Sequence, residues 1–308
     1  MSPSQVQKVA DAILYEGYAL YPYRASNVKN RRRWTFGGLY PETYAPATGD
    51  RSSFQAQVLI AVSSDPIVEA NLRFLHLVEE ENAGQSWQTG IEREVLASSA
   101  APSHRFTFLA WQRTEDGVFQ RQQQLDGIVE TACEAIADGV QRLTLRVANR
   151  TGLRDSNELS RDQASLQALV SAHAILRVTG GRFVSMTDPP EQLREAAERC
   201  DNQGVWPVLA GENGSHDCML VSPIILSDYP QVAPESAGDL FDGAEIDEIL
   251  TLRILTMTDS EKEEMYQMDE RTRHILERTE NLSPSQLMQL HGVLRNPHAL
   301  ASDPGSKA

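Results

Sequence analysis

The sequence has few cysteines, and they are widely spaced. Only Cys133, Cys200 and Cys218 occur in 308 residues, and no CxxC motif includes any of them. An odd number of dispersed cysteines argues against a disulfide framework and against a structural zinc site. We therefore expect three reduced thiols, packed as small buried residues, in a cytoplasmic protein.

Positive charge is also scarce. Lysine and arginine number 28 against 43 acidic residues, which gives a formal net charge of -15. Because binding to phosphates requires a basic surface, we expect no nucleic acid partner. No apolar run approaches the ~20 residues of a membrane span. The N-terminus lacks the basic and apolar regions of a signal peptide, so we expect no membrane span and a cytoplasmic location.

The common catalytic signatures are missing. The sequence contains no Walker A loop and no GxGxxG, GxSxG or HExxH motif. Its seven histidines are scattered, and His173 lies in the apolar run VSAHAIL. That position is more typical of a core histidine than of a metal ligand. These patterns predict no cofactor.

The patterns that are present predict a β-rich α+β protein with an antiparallel, sandwich-like core, an N-terminal helix and C-terminal helices. Val6, Val9 and Ile13 recur at helical spacing. Leu143, Leu145 and Val147 alternate with other residues, as in a half-buried strand. Other predicted elements are hairpins around 63–66, 116–117 and 180–181, and a short helix within 127–139.

Four regions are predicted along the chain. Residues 1–53 form an N-terminal helix and a basic loop, and residues 54–150 form an antiparallel β region. Residues 151–295 form a β-rich region that ends in two helices, and residues 296–308 form a disordered tail. The boundary between the two β-rich regions is placed at a polar stretch, GLRDSNELSRD.

The densest positive charge occurs in the segment NRRRWTFGG, beside two aromatic residues. Three interpretations fit it: a solvated loop, internal pairing with carboxylates, or a docking patch for an acidic partner or a phosphate. Aromatic side chains and arginine are common binding hot spots. The candidate partner-binding residues are Arg24, Lys29, Asn30, Arg31, Arg32, Arg33, Trp34 and Phe36.

A strongly acidic stretch follows later, DYPQVAPESAGDLFDGAEIDE. Its carboxylates are hard oxygen ligands of the kind that calcium and magnesium prefer, although their order does not match an EF-hand. A solvated acidic loop is the simpler interpretation. The candidate metal ligands are Asp239, Asp242, Glu245 and Asp247.

The chain resembles an uncharacterised bacterial protein family in three phrases: ILYEGYALYPYR, KNRRRWTFGGLYP and VSPIILSDYPQVAPESAGDLFDGAEIDEILTLRILTMTDSEKEEM. Members of that family are encoded beside nickel–iron hydrogenases of the high-affinity, actinobacterial type. The resemblance covers most of the chain, but residues 84–103 contain no matching phrase. It implies a role in hydrogenase production or assembly and identifies no catalytic residue.

From this resemblance we expect a non-catalytic accessory or assembly factor that binds a hydrogenase subunit or maturation protein. The chain lacks the cysteine-rich or histidine-rich tracts of nickel-delivery factors, so direct nickel handling is not expected. Two alternatives remain open: a divalent-metal-dependent hydrolase that uses the acidic loop 239–248, and a structural subunit of a larger complex. A metal bound at that loop would favour the hydrolase. An exposed apolar and aromatic surface around Trp34 would favour the binding protein.

Overall fold

The structure is a computed structural model. It describes residues 5–15, 37–82, 84–153, 159–231, 257–266, 273, 276–277 and 279–281. The chain divides into two compact units: residues 1–20 with 31–232, and residues 21–30 with 233–308. Within the described residues of the second unit, one helix spans Asp259–Tyr266, and Lys262 forms an ion pair with Glu280 at 2.7 Å.

The described part of the first unit contains four short helices and ten strands. The helices are α1 Gln5–Leu14, α2 Ala45–Thr48, α3 Arg161–Ser165 and α4 Arg194–Glu198. The strands are β1 Ser53–Asn82, β2 Gln85–Ser98, β3 Ser103–Phe108, β4 Trp111–Glu115, β5 Val118–Gln122, β6 Leu125–Ala137, β7 Val140–Asn149, β8 Val170–Phe183, β9 Trp206–Leu209 and β10 Cys218–Ser222. We number the helix of the second unit α5.

The sheet is organised around β1, a strand of 30 residues. Its successive parts pair antiparallel with β7 (53–61), β8 (60–75), β2 (69–82) and β5 (78–81). The main strand order is β3-β6-β7-β1-β8-β10-β9, and β4 pairs with β5. All the described strands therefore belong to one open sheet. The predicted β-rich, antiparallel α+β class is confirmed, whereas the sandwich arrangement remains a prediction.

Two of the predicted hairpins are wrong, because β1 runs through residues 63–66 and β8 runs through Gly180. The pairing of β1 with β8 shifts between Val62 and Ile67, so these irregular segments face each other. Pro66 has no backbone N–H, and such a residue is tolerated at a bulge. Gly180 has a φ of +77°. Residues 63–66 of β1 therefore lie opposite Gly180 alone, and this large bulge ends neither strand.

The predicted helix within 127–139 is also wrong, because this stretch lies in β6. Its β-branched residues Ile128, Val129 and Thr131 are buried, and β6 pairs with β7 across a turn at Gly139. Ala132, which the helical interpretation would bury, is exposed. Pairing with β7 thus overrides the weak helical spacing.

Other local predictions are confirmed. Leu143, Leu145 and Val147 are buried in β7. The hairpin of β4 and β5 turns at Asp116 and Gly117, whose φ angles of 49° and 80° are those of a tight primed turn.

Helices cover parts of the sheet's outer surface. Val6, Val9 and Ile13 of α1 are buried and pack with Ile175 and Leu220, which confirms the predicted apolar face of this helix. On another part of the sheet, Ala197 of α4 packs with Leu59 and Val184. The described helices are too short or too polar to cross a membrane.

The cysteines are free thiols, but they do not share one environment. Cys218 is buried, and desolvation raises the pKa of its thiol to about 11. Cys200 is only partly buried and Cys133 is exposed, so the expectation that all three are buried is wrong for these two. Cys133 lies on the part of β6 whose side chains leave the core.

Candidate functional site

The residues predicted from the sequence as functional lie outside the described residues. This applies to the partner-binding set Arg24, Lys29, Asn30, Arg31, Arg32, Arg33, Trp34 and Phe36. It applies equally to the metal-ligand set Asp239, Asp242, Glu245 and Asp247. Both assignments remain predictions. The described residues instead show a different candidate site, on the outer face of β2, β1 and β8.

Three successive rungs of the sheet form this face, because alternate residues of a strand share one side. The register of β1 with β2 and β8 fixes which residues share each rung. The rungs are Ser98–Glu69–Arg177, Leu96–Asn71–Ile175 and Glu94–Arg73–His173.

An open groove of about 540 Å³ lies over the first two rungs. We call it the outer groove; its lining includes Gln7, Asn71, Leu96, Ala101, His104 and Arg177. Leu96 is 72% exposed, although it is a large apolar side chain. The Oδ1 atom of Asn71 is buried and accepts no hydrogen bond from the described residues. The groove therefore combines exposed apolar surface with a buried acceptor that the described residues leave unpaired.

A buried arginine lies beside the groove, on the third rung. Arg73 is 2% exposed, and its guanidinium lies 2.7 Å from Asp11, 2.9 Å from Glu94 and 3.5 Å from Glu92. The three carboxylate side chains are 40–48% exposed. Three carboxylates thus surround one guanidinium, and their outer sides face solvent. We call this group the acidic rim.

The acidic rim also attaches α1 to the sheet. Asp11 belongs to α1, and the hydroxyl of Tyr15, just after the helix, donates to Glu92 Oε1 at 2.7 Å. A buried cation that is paired with several carboxylates is costly to break, because the charge cannot reach water. The rim therefore holds α1 at the end of the groove.

His173 completes the third rung and is fully buried. Its Nδ1 lies 2.8 Å from the carbonyl oxygen of Ser171, which can only accept, so Nδ1 carries the proton. Burial, aided by the positive charge of Arg73, lowers the pKa of His173 to about 4. The prediction of a core histidine is confirmed. Among the described residues, no group of three or more His, Cys, Asp or Glu side chains is placed to hold a metal ion.

The opposite face of β2 is anchored in the interior. Arg93 lies over the Phe108 ring at 4.7 Å and donates from Nη2 to Gln122 Oε1 at 2.7 Å. Next to it, His76 is fully buried; desolvation, aided by Arg93, lowers its pKa to about 4. These contacts fix β2 in place.

Within the described part of the chain, β2 pairs along one side only, with β1. Its free edge reaches the outer groove at Leu96 and Ala97, and beyond them the carbonyl of Ser98 accepts a hydrogen bond from the N–H of Ala101. Its outward side chains include Glu92, Glu94 and Leu96, which come from the alternating stretch IEREVLAS. The sequence interpretation missed this site because residues 84–103 match no motif. The alternation was the available signal, but it does not reveal the register with Arg73 and His173.

The site offers a ligand two accessible features. An apolar side chain can pack on Leu96, and a cation can approach the acidic rim. Comparison of the chain with protein-family models and with curated proteins finds no match.

Proposed function

We propose that this chain is a non-catalytic accessory protein of the cytoplasm that binds another protein, and that its partner is a subunit or maturation protein of a nickel–iron hydrogenase. The observation that carries the proposal is the position of the outer groove beside the open edge of β2. Open strand edges next to side-chain pockets bind extended segments of other proteins. The hydrogenase partner comes from the family resemblance described above.

The surface chemistry supports a protein as the ligand. Leu96 and Ile67 are both large exposed apolar residues on the outer face, at 72% and 47%. Charged residues flank them, and apolar surface with a polar border is typical of interaction sites. The chain's net charge of -15 favours a protein over a nucleic acid as the partner.

Binding assays with purified components test this proposal. Each hydrogenase subunit and maturation protein is produced separately, and its affinity for the chain is measured by calorimetry. We expect one of them to bind, and Leu96→Asp to weaken that binding at least about tenfold, since it places charge on the apolar contact.

Leu109 provides a matched control, because it is 70% exposed and lies between β3 and β4, away from the groove. Leu109→Asp should leave the affinity unchanged. If none of the hydrogenase proteins binds, the proposed partner is wrong. Equal losses in the two variants would show that the groove is not the binding surface.

The predicted docking patch at residues 24–36 belongs to the same proposal as a second contact. Replacement of Arg31, Arg32 and Arg33 by glutamine should weaken partner binding and reduce its dependence on salt, with little change in melting temperature. If partner binding is unchanged in this variant, the arginines are not a docking patch, and the solvated-loop interpretation is favoured.

A further inference from the structure

The open edge of β2 restricts what kind of segment can bind beside the groove. In an antiparallel strand that is paired on one side, alternate backbone N–H and C=O groups point away from the neighbour and are free to pair. β2 has such an edge along residues 85–97, within the part of the chain that the structure describes; Ser98 already pairs with Ala101 on that side. A segment that satisfies these groups must itself be extended.

The side chains on the outer face then set the chemistry of that segment. An added strand places its own side chains directly beside those of β2. Glu92 and Glu94 have side chains that are each 48% exposed, and they share one buried guanidinium with Asp11. Opposite charge on the incoming strand is therefore stabilised at these two positions. Leu96, two residues further along, favours an apolar side chain.

We propose that the edge of β2 binds an extended, basic segment of the partner protein as an additional strand of the sheet. Two basic residues spaced two apart lie against Glu92 and Glu94, and an apolar residue packs on Leu96 in the outer groove. This inference rests on the proposed protein-binding function and specifies the partner's contact segment.

A second copy of this chain is a poorer occupant of the same edge. Two β2 strands related by a two-fold axis near residue 93, which would place both copies over the outer groove's end of the edge, would bring Glu92 and Glu94 of each copy close together. Like charges placed opposite each other across strands are destabilising. Acidic side chains on an edge strand are a common protection against such self-pairing.

A short synthetic peptide, acetyl-TLTKTKT-amide, supplies the proposed pattern of one leucine and two lysines at alternate positions. Its binding to the full-length protein is measured by fluorescence anisotropy at low and high salt. We expect binding that weakens as salt is raised. The acidic peptide acetyl-TLTETET-amide should not bind. A fully N-methylated version of the basic peptide should not bind either, since it keeps the side chains but lacks backbone donors.

The protein variant Glu92→Gln/Glu94→Gln should weaken binding of the basic peptide about three- to tenfold. Glu198→Gln/Glu212→Gln removes the same charge from exposed positions elsewhere and should have no effect. If the first variant does not fold, as judged by its thermal melt, the N-methylated peptide still tests the inference on the wild-type protein. Equal binding of the methylated peptide, or no binding of the basic peptide up to about 1 mM, overturns it.

The outcomes separate this inference from the proposed function. If a hydrogenase protein binds in a Leu96-dependent manner but the basic peptide does not, strand addition is wrong and the function stands. If the peptide binds and no hydrogenase protein does, the edge site stands and the hydrogenase partner is wrong.

Discussion

Arg73 and His173 lie directly opposite each other on β1 and β8, and both side chains are buried. The positive charge of the arginine opposes protonation of the histidine, whose pKa is about 4. The three carboxylates that balance this charge come from α1 and β2. One buried cation thus connects the helix, the edge strand and the centre of the sheet.

Removal of the carboxylates around Arg73 should destabilise the folded protein more than removal of Arg73 itself. Asp11→Ala/Glu94→Ala leaves a guanidinium that is 2% exposed with only the more distant Glu92. We expect a loss of about 3–5 kcal/mol in the free energy of unfolding, measured with urea. Arg73→Met should cost less, because the remaining carboxylates are partly hydrated. A larger loss for Arg73→Met than for the double variant would contradict this account of the rim.

His173 should make stability depend on pH. Its pKa is about 4 in the folded protein and near 6.5 when unfolded, so the unfolded chain binds the proton first as pH falls. The stability that the neutral His173 side chain contributes to the folded protein is present above pH 6.5 and is lost as the pH falls from 6.5 to 4. At pH 5 the loss is about 2 kcal/mol.

The variant His173→Asn retains a donor near the Nδ1 position but does not titrate. Between pH 7 and pH 5, its free energy of unfolding should fall by about 2 kcal/mol less than that of the wild type. If the free energies of unfolding of the two proteins change with pH in parallel, the pKa of His173 is the same in the folded and the unfolded chain, and the prediction is wrong.

The β-bulge should be sensitive to a single methyl group. A Cβ at Gly180 would lie 2.8 Å from the carbonyl oxygen of Asp65, and φ is +77°. Gly117 has a similar φ of +80°, but a Cβ there meets nothing within 4 Å. Both alanine variants bear the backbone penalty of roughly 1–2 kcal/mol. Gly180→Ala should therefore lower the melting temperature clearly more than Gly117→Ala, and equal shifts would show that the bulge relaxes.

Metal analysis tests the hydrolase alternative. The dispersed cysteines and histidines predict substoichiometric nickel, zinc and iron in protein purified without a tag. Calorimetry with calcium and magnesium then tests Asp239, Asp242, Glu245 and Asp247. One tightly bound equivalent of a transition metal, or divalent-cation binding that Asp242→Asn abolishes, would favour the hydrolase over the accessory protein.

Local pattern was sufficient for elements whose burial follows a simple period. Val6, Val9 and Ile13 lie on one face of α1, and Leu143 and Leu145 lie on one face of β7. In these cases the same periodicity that defines the element also selects its buried side. The Asp116–Gly117 turn was equally predictable, because few residue pairs adopt positive φ at two successive positions.

Features that depend on long-range pairing could not be predicted in this way. Residues 63–66 resemble a turn until Gly180, more than a hundred positions later, is placed against them. The candidate site has the same character. Glu94, Arg73 and His173 belong to three strands, and only the register brings them to one rung. A shift of one residue in the pairing of β1 with β2, or of β1 with β8, would place these side chains on opposite faces of the sheet.

The most direct test of the proposed function is hydrogen–deuterium exchange of the chain with and without the hydrogenase protein that binds it. Backbone amides on an open edge exchange readily, and an added strand protects them. We predict increased protection in residues 85–98 on binding, with little change in the β4–β5 hairpin at residues 111–122. Binding that leaves residues 85–98 unprotected, or the absence of binding by every hydrogenase subunit and maturation protein, would contradict the account.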